Sequence, residues 1–441
     1  MSTYSAIVCR IHVRPHPGAD RLQLGTCYGG NQVVVGLNTK DGELGIFFPS
    51  DGQLSEEFCR INDLFPRLDD QGRRVGGGFF DPKNRRVRAQ SFRGEKSEGF
   101  WCPLHYLNGL LFRENVENLK EGDQFTELNG VAICNKYETE ATKEAASKSQ
   151  KAGASKKHQF FKEHVDTKQF VYESDKIPVG SILHLSEKLH GTSGRYAFFS
   201  EKLVFSGWKK YFAAFLAWIL ATVFQSPEPL AFAKRKLFVG SRRVQLKSPD
   251  SPTSFYKDEN FRFLVANGLK DGIQLGETVY GELVGYQGSN TPIMGTVSTL
   301  GLADKAFRAT YGETMTYKYG CPPGTSKFYV YRITHTNEDG HVTELSVEQV
   351  KARCKILGYQ YVPEFSGAIV HTDTETLKSL VESFLDGPSV LDASHIREGV
   401  AIRVDTPSGE TYFLKHKSFN FKVLEGIIKD QTDYVDTEES A

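Results

Sequence analysis

The sequence is notable first for what it has little of. Lys+Arg and Asp+Glu both number 54, so the formal net charge is zero. That excludes a globally basic nucleic-acid coat, although it leaves local basic patches open. No CxxC or Cys/His ligand spacing occurs among the seven cysteines, Cys9, Cys27, Cys59, Cys102, Cys134, Cys321 and Cys354. An odd, scattered set argues for reduced cytosolic thiols rather than a disulfide framework or a zinc site. No internal repeat is visible. The N-terminus MSTYSAIVCRIHV lacks the charged-then-apolar order of a signal peptide. The one long apolar run, residues 211–224 (YFAAFLAWILATVF), has 14 residues, where a membrane span needs about 20. A buried or groove-forming helix is expected there. These absences point to a cytoplasmic protein without a membrane partner.

What is present is ordinary globular composition, 39% hydrophobic and 24% charged over 441 residues, enough for two or three domains. Residues 142–157, TKEAASKSQKAGASKK, carry five lysines, one glutamate and no large apolar residue. Such a stretch cannot join a core and reads as a solvated linker. The resulting division is 1–140, a linker at 141–158, a second domain at 159–429, and an acidic tail at 430–441. Before the linker, short apolar runs (SAIVCRIHV, RLQLGTCY, NQVVVGL, LGIFFPS, RVRAQSF, GFWCPL) alternate with Pro-Gly, Gly-Gly and Asp-Gly turns. This predicts a small β-barrel of the oligonucleotide-binding (OB) type, with one short helix near residues 55–64. After the linker, strand-like runs (SILHLSEKL, TVYGELVGY, KFYVYRIT, GVAIRVD, TYFLKHK) mix with helical ones. An antiparallel α+β domain follows.

The chemistry concentrates in that second domain. In Glu187-Lys188-Leu189-His190-Gly191-Thr192-Ser193 a lysine closes an apolar strand and meets a turn of small residues that a phosphate can approach. Lysine is a nucleophile only as the free amine, so burial or neighbouring cations must favour that form. Glu282 in YGELVG and Glu398 in EGVAIR each stand alone among apolar residues, and a buried carboxylate requires a partner. FYVYR is an aromatic strand. Lys415 and Lys417 are two apart, hence on one face of a strand. Together these residues form a kit for holding a nucleoside triphosphate with a divalent cation and moving its α-phosphate onto Lys188. The strand lysines would neutralise phosphate charge and, by like-charge repulsion, favour the neutral Lys188 amine.

The order EKLHGTS, GSRR, YGELVG, FYVYRI, EGVAIR, KHK resembles motifs I, Ia, III, IIIa, IV and V of the covalent nucleotidyltransferases. It is most similar to the ATP-dependent, nick-sealing RNA ligases, over about residues 160–425. The resemblance implies an adenylyltransferase domain with an ATP-grasp-like antiparallel sheet. It implies catalytic roles for Lys188, His190, Glu398, Lys415 and Lys417. It assigns nucleotide binding to Glu187, Ser193, Arg242, Glu282, Tyr331, Lys415 and Lys417, and metal binding to Glu398, with ATP and Mg²⁺ or Mn²⁺ as cofactors. A long insertion before the aromatic strand leaves Tyr331, Phe328 and Tyr329 as alternatives for the ring that stacks on adenine. The N-terminal PHPGADRL…NQVVVGL resembles OB-type tRNA-binding domains and the N-terminal module of a small RNA-ligase branch, exemplified by a Deinococcus enzyme. Residues 73–101 hold eight Lys/Arg up to Lys96 against Asp81 and Glu95, interleaved with aromatics. Arg85, Arg86, Arg88 and Arg93 are therefore expected to contact RNA. The expected partners are RNA and ATP, and the expected state is a monomer. The alternatives are a DNA-sealing or capping-type nucleotidyltransferase, or a non-catalytic RNA- or tRNA-binding OB protein.

Overall fold

The structure, a computed structural model, describes residues 4–111, 116–144, 158–203, 206–223, 233–250, 256, 259–300, 302 and 305–429. Most of the expected linker (145–157) and the whole acidic tail (430–441) lie outside the described residues. The fold is α+β, with an N-terminal barrel-like sheet followed by two mainly antiparallel sheets.

In the N-terminal part the principal strands are β1 (Ala6–Pro15), β2 (Leu22–Thr26), β3 (Gln32–Gly36), β4 (Glu43–Pro49) and β5 (Gly99–Pro103), in the order β5-β4-β1-β2-β3. The Glu98 N–H donates to the Gln32 carbonyl at 2.8 Å, and the Val34 N–H to Ser97 Oγ at 3.2 Å, drawing β3 toward the start of β5 and nearly closing the barrel. The apolar runs of β1 and β4 do not alternate with polar residues because these strands are covered on both faces. Ile7, Cys9, Phe47 and Trp101 fill one core. Ala6, Val8, Ile46 and Phe48 fill another, against Phe58 of the short helix α1 (Glu56–Ile61), which Ser55 caps. The run RVRAQSF is divided: Gln90–Phe92 pairs with Glu95–Ser97, while Arg86 makes an isolated bridge to Gln53.

The second part is built on β6 (Ile182–Lys188), β7 (Thr192–Lys202), helix α2 (Trp208–Val223), β8 (Ala233–Gly240), helix α3 (Asn260–Leu269), β9 (Glu277–Gly285), β10 (Ser326–Thr336), helices α4 (Val347–Leu357) and α5 (Thr374–Ser383), β11 (Gly399–Asp405), β12 (Thr411–Lys417) and helix α6 (Phe419–Lys429). One sheet contains β12-β11-β6, extended by Lys168–Gln169 and Ile369–Val370 at its edges. The other contains β8-β7-β9-β10 with short flanking strands. The turn between β6 and β7 carries the chain from one sheet to the other. Here Gly191 is required by packing: a Cβ would sit 2.2 Å from the Leu283 carbonyl of β9. Gly399 plays the same part between β11 and β12, where a Cβ would meet the His416 carbonyl at 2.0 Å. Leu183, Leu185, Val400, Ile402 and Leu414 bury the first sheet against Leu377 and Val381 of α5.

Helix α2 forms where the apolar run predicts one, but it is neither buried nor groove-forming. Trp208, Tyr211, Phe212, Phe215 and Trp218 are all exposed. The expectation of burial fails because the helix is inserted at the tip of the β7–β8 hairpin, beyond the edge of the core.

Candidate active site

Lys188 ends β6 beside the start of β11, with which its strand pairs (Lys188 opposite Gly399). Its Nζ lies 2.7 Å from Glu398 Oε1, and Glu398 is fully buried. The same oxygen is 3.3 Å from Lys417 Nζ, and His190 Nδ1 is 3.4 Å from Glu398 Oε2. The His190 ring is held edge-on between Tyr317 and Phe421, and its backbone N–H donates to the Tyr319 hydroxyl at 2.6 Å. Three cation-capable side chains thus converge on one buried carboxylate, offsetting the cost of its buried charge.

The network continues. Lys417 Nζ reaches Glu425 of α6 at 3.0 Å, Glu425 reaches Lys429 at 3.1 Å, and Lys429 reaches Asp51 of the N-terminal part at 3.3 Å. Arg86 ends it, 2.8 Å from Asp51 and donating to the Gly426 carbonyl at 2.9 Å. From Lys188 to Arg86 the charges alternate in sign. Burial alone would raise the Glu425 carboxyl, yet Lys417 and Lys429 outweigh it and hold the group below its ordinary range. Asp51 behaves likewise: burial is outweighed by Lys429 and Arg86, and its carboxyl is lowered strongly.

The cleft between the two sheets opens from Lys188. Ser193, Arg242, Glu282, Tyr331 and Lys415 line it, all expected from sequence, together with His164, which was not. The Ser193 hydroxyl donates to Glu282 at 3.5 Å, and Arg242 lies 3.3 Å from Asp166. The three aromatic alternatives separate here. Phe328 is buried edge-on to Tyr196 and Tyr359, Tyr329 is also buried, and only Tyr331 lines this cleft. The cause is a β-bulge: Tyr280 pairs with Arg332 but Gly281 with Val330, which leaves Tyr331 opposite no residue of β9. Bulges of this kind re-aim a side chain. His164 packs 5.0 Å from the Tyr331 ring, and burial, then Arg332 and Arg242, lower its pKa well below the ordinary histidine value. It stands in the cleft as a neutral ring.

Glu187 also lines this cleft, with its carboxylate accepting from the Val390 N–H at 2.8 Å. Arg86 is buried against Asp51, Gly426 and the ring of Tyr137, where it braces the N-terminal part on α6. Of its neighbours Arg93 is exposed, while Arg85 and Arg88 are half-buried. Sequence reasoning missed Asp51, Glu425 and Lys429. The usable signal was the Glu425/Lys429 spacing of four within the amphipathic run FNFKVLEGIIK.

Comparison with known proteins agrees with this geometry. A family model described as RNA ligase matches residues 182–424, over half of the chain, and the chain belongs to that family. No curated protein matches it. Among solved structures, the chain is similar to Naegleria gruberi RNA ligase. An alanine mutant of that protein with ATP and Mn shows 15% identity and a TM-score of 0.55, covering 97% of this chain and 99% of the other. A second mutant with AMP and Mn gives 16% identity and a TM-score of 0.56 over the same shares. The form with PPi gives 16% and 0.54, again over 97% and 99%. The shared fold therefore extends through the N-terminal part as well.

Proposed function

We propose that this RNA ligase joins RNA 3′-OH and 5′-phosphate ends at the expense of ATP, through a covalent Lys188–AMP. The observation that carries the reading is Lys188 at the mouth of the two-sheet cleft, paired with buried Glu398. In the first step the free amine of Lys188 attacks the α-phosphorus of ATP. A P–N bond forms, the bond to the bridging oxygen breaks, and pyrophosphate leaves. In the second step an RNA 5′-phosphate oxygen attacks the same phosphorus, releasing Lys188. In the third, a 3′-OH attacks the activated 5′-phosphate, AMP departs and the phosphodiester is complete. Positioning and charge stabilisation supply most of the catalysis.

Within this reading Tyr331 stacks on adenine. Ser193 and Glu282 address the ribose, Arg242 the AMP phosphate, and Lys415 and Lys417 the polyphosphate. Glu398 accepts the charge of Lys188 and Lys417 before nucleotide arrives. Among the described residues no cluster of three or more acidic, histidine or cysteine side chains forms a metal cage. That fits Mg²⁺ or Mn²⁺ held jointly by one or two carboxylates, foremost Glu398, and substrate phosphates. Bound there, the ion would neutralise charge on the phosphates. Residues 1–140 would serve as the RNA-facing OB domain, 141–158 as a linker, 159–429 as the ligase domain and 430–441 as a tail.

The test is incubation with α-labelled ATP and Mg²⁺ followed by a denaturing gel. A labelled band near 49.4 kDa is expected from the native chain and none from Lys188→Ala. An equal band from the mutant would sink the assignment. Sealing of nicks with RNA against DNA at the 3′-OH side checks the substrate.

A further inference from the structure

Helix α2 is built the wrong way round for a soluble protein. Trp208, Tyr211, Phe212, Phe215 and Trp218 recur at i, i+3, i+4, i+7 and i+10, so they share one side of the helix. That side is turned to water: Trp208 is 72% exposed, Tyr211 77% and Trp218 62%. Among the described side chains of the helix the buried one is Ala217, at 6%, on the opposite side. A helix serving the core would bury the aromatics and show the alanines.

The surroundings are basic. Lys209 and Lys210 in the first turn of the helix are exposed. The helix is carried at the end of the β7–β8 hairpin, where Glu201 pairs with Lys234 and Ser200 with Arg235. Lys234, Arg235 and Lys236 are exposed as well, and Glu201 is engaged with Lys236 at 3.1 Å. Exposed Trp and Tyr beside a cluster of Lys and Arg match the lipid headgroup boundary, where amphipathic rings sit and cations meet anionic phosphates. Its 16 residues extend about 24 Å, short of the roughly 30 Å hydrocarbon core. No helix among the described residues is long and apolar enough to cross a membrane.

We propose that α2 and the basic hairpin tip form a docking surface for an anionic lipid bilayer, with the helix lying in the headgroup layer. This revises the expectation of no membrane partner. A second copy of the chain is the poorer occupant, because a symmetric contact over this face would bring two basic clusters together. Ser193 at the opposite end of β7 lines the cleft, so docking at the tip leaves that cleft open.

The test is co-sedimentation of the full chain with vesicles of phosphatidylcholine alone or mixed with phosphatidylserine. Binding to the mixed vesicles is expected, at least tenfold weaker on neutral vesicles and in 0.5 M salt. The double variant Phe215→Glu/Trp218→Glu, and separately Lys234→Glu/Arg235→Glu, should each lose binding at least tenfold while melting at the native temperature. Native protein that stays in the supernatant, or variants that bind as well as native, would overturn the proposal. So would a native dimer, seen by sedimentation, that the aromatic variant splits into monomers without any vesicle binding. None of these readouts depends on ligase chemistry.

Discussion

The molecule carries two concentrations of positive charge that differ in every respect but sign. Along the ion-pair network that starts at the cleft, Lys188, Lys417, Lys429 and Arg86 are largely buried and each meets a carboxylate within 3.3 Å. At the hairpin tip, Lys209, Lys210, Lys234 and Arg235 face water beside exposed aromatic rings. Desolvating a cation costs several kcal/mol unless an anion repays it, so the first cluster is locked to internal partners. The second needs no internal partner and is free to meet external anions. Counting lysines and arginines along a sequence cannot separate the two kinds. The carboxylates that fold toward them can.

The largest way to break this contrast lies in the buried network. Glu425→Gln leaves Lys417 and Lys429 short of a carboxylate and should cost about 3–5 kcal/mol, read by denaturant unfolding. The pH dependence sharpens it. Glu425 and Asp51 both have carboxyl groups lowered in the folded state. Their stabilisation is present above the ordinary carboxylate range and is lost as pH falls through the folded values. Thermal melts from pH 7 down to pH 3 should therefore fall, and fall less steeply in Asp51→Asn. Next in size, Tyr331→Ala should raise the KM for ATP in self-adenylylation by roughly 5- to 160-fold, the worth of one base stack of about 1–3 kcal/mol. Tyr331→Phe should stay near native. Smaller again, Arg93→Ala should lower RNA affinity and reduce the log–log salt slope by about 1, measured by filter binding at several salt concentrations. Smallest of all, Lys234→Glu should change folding stability by less than about 0.5 kcal/mol in the same unfolding assay.

Legibility followed periodicity and motif order. The strands bearing Lys188, Glu282, Tyr331 and the Lys415/Lys417 pair all lie where apolar spacing predicts them, because their hydrophobic faces have a single way to be buried. The choice of Tyr331 over Phe328 and Tyr329 was not legible, since it turns on a bulge that shifts the register by one residue. The burial of Arg86 was not legible for a related reason. Its sequence neighbours Arg85, Arg88 and Arg93 suggest a solvated basic face, while its fate is decided by Asp51 and Gly426, far away along the chain. Helix α2 was legible as a helix but not as an exposed one, because apolar content implies that something covers a face without saying what.

The ion-pair network also orders events in time. Asp51 leaves the ribosome long before Lys429, and the barrel that carries it can fold while β12 and α6 are still being made. Until α6 arrives, Asp51 and Arg86 lack their partners across the interface, and Glu398 lacks Lys417. A nascent chain would therefore hold Lys188 on an unfinished strand arrangement until α6 is made and closes the network.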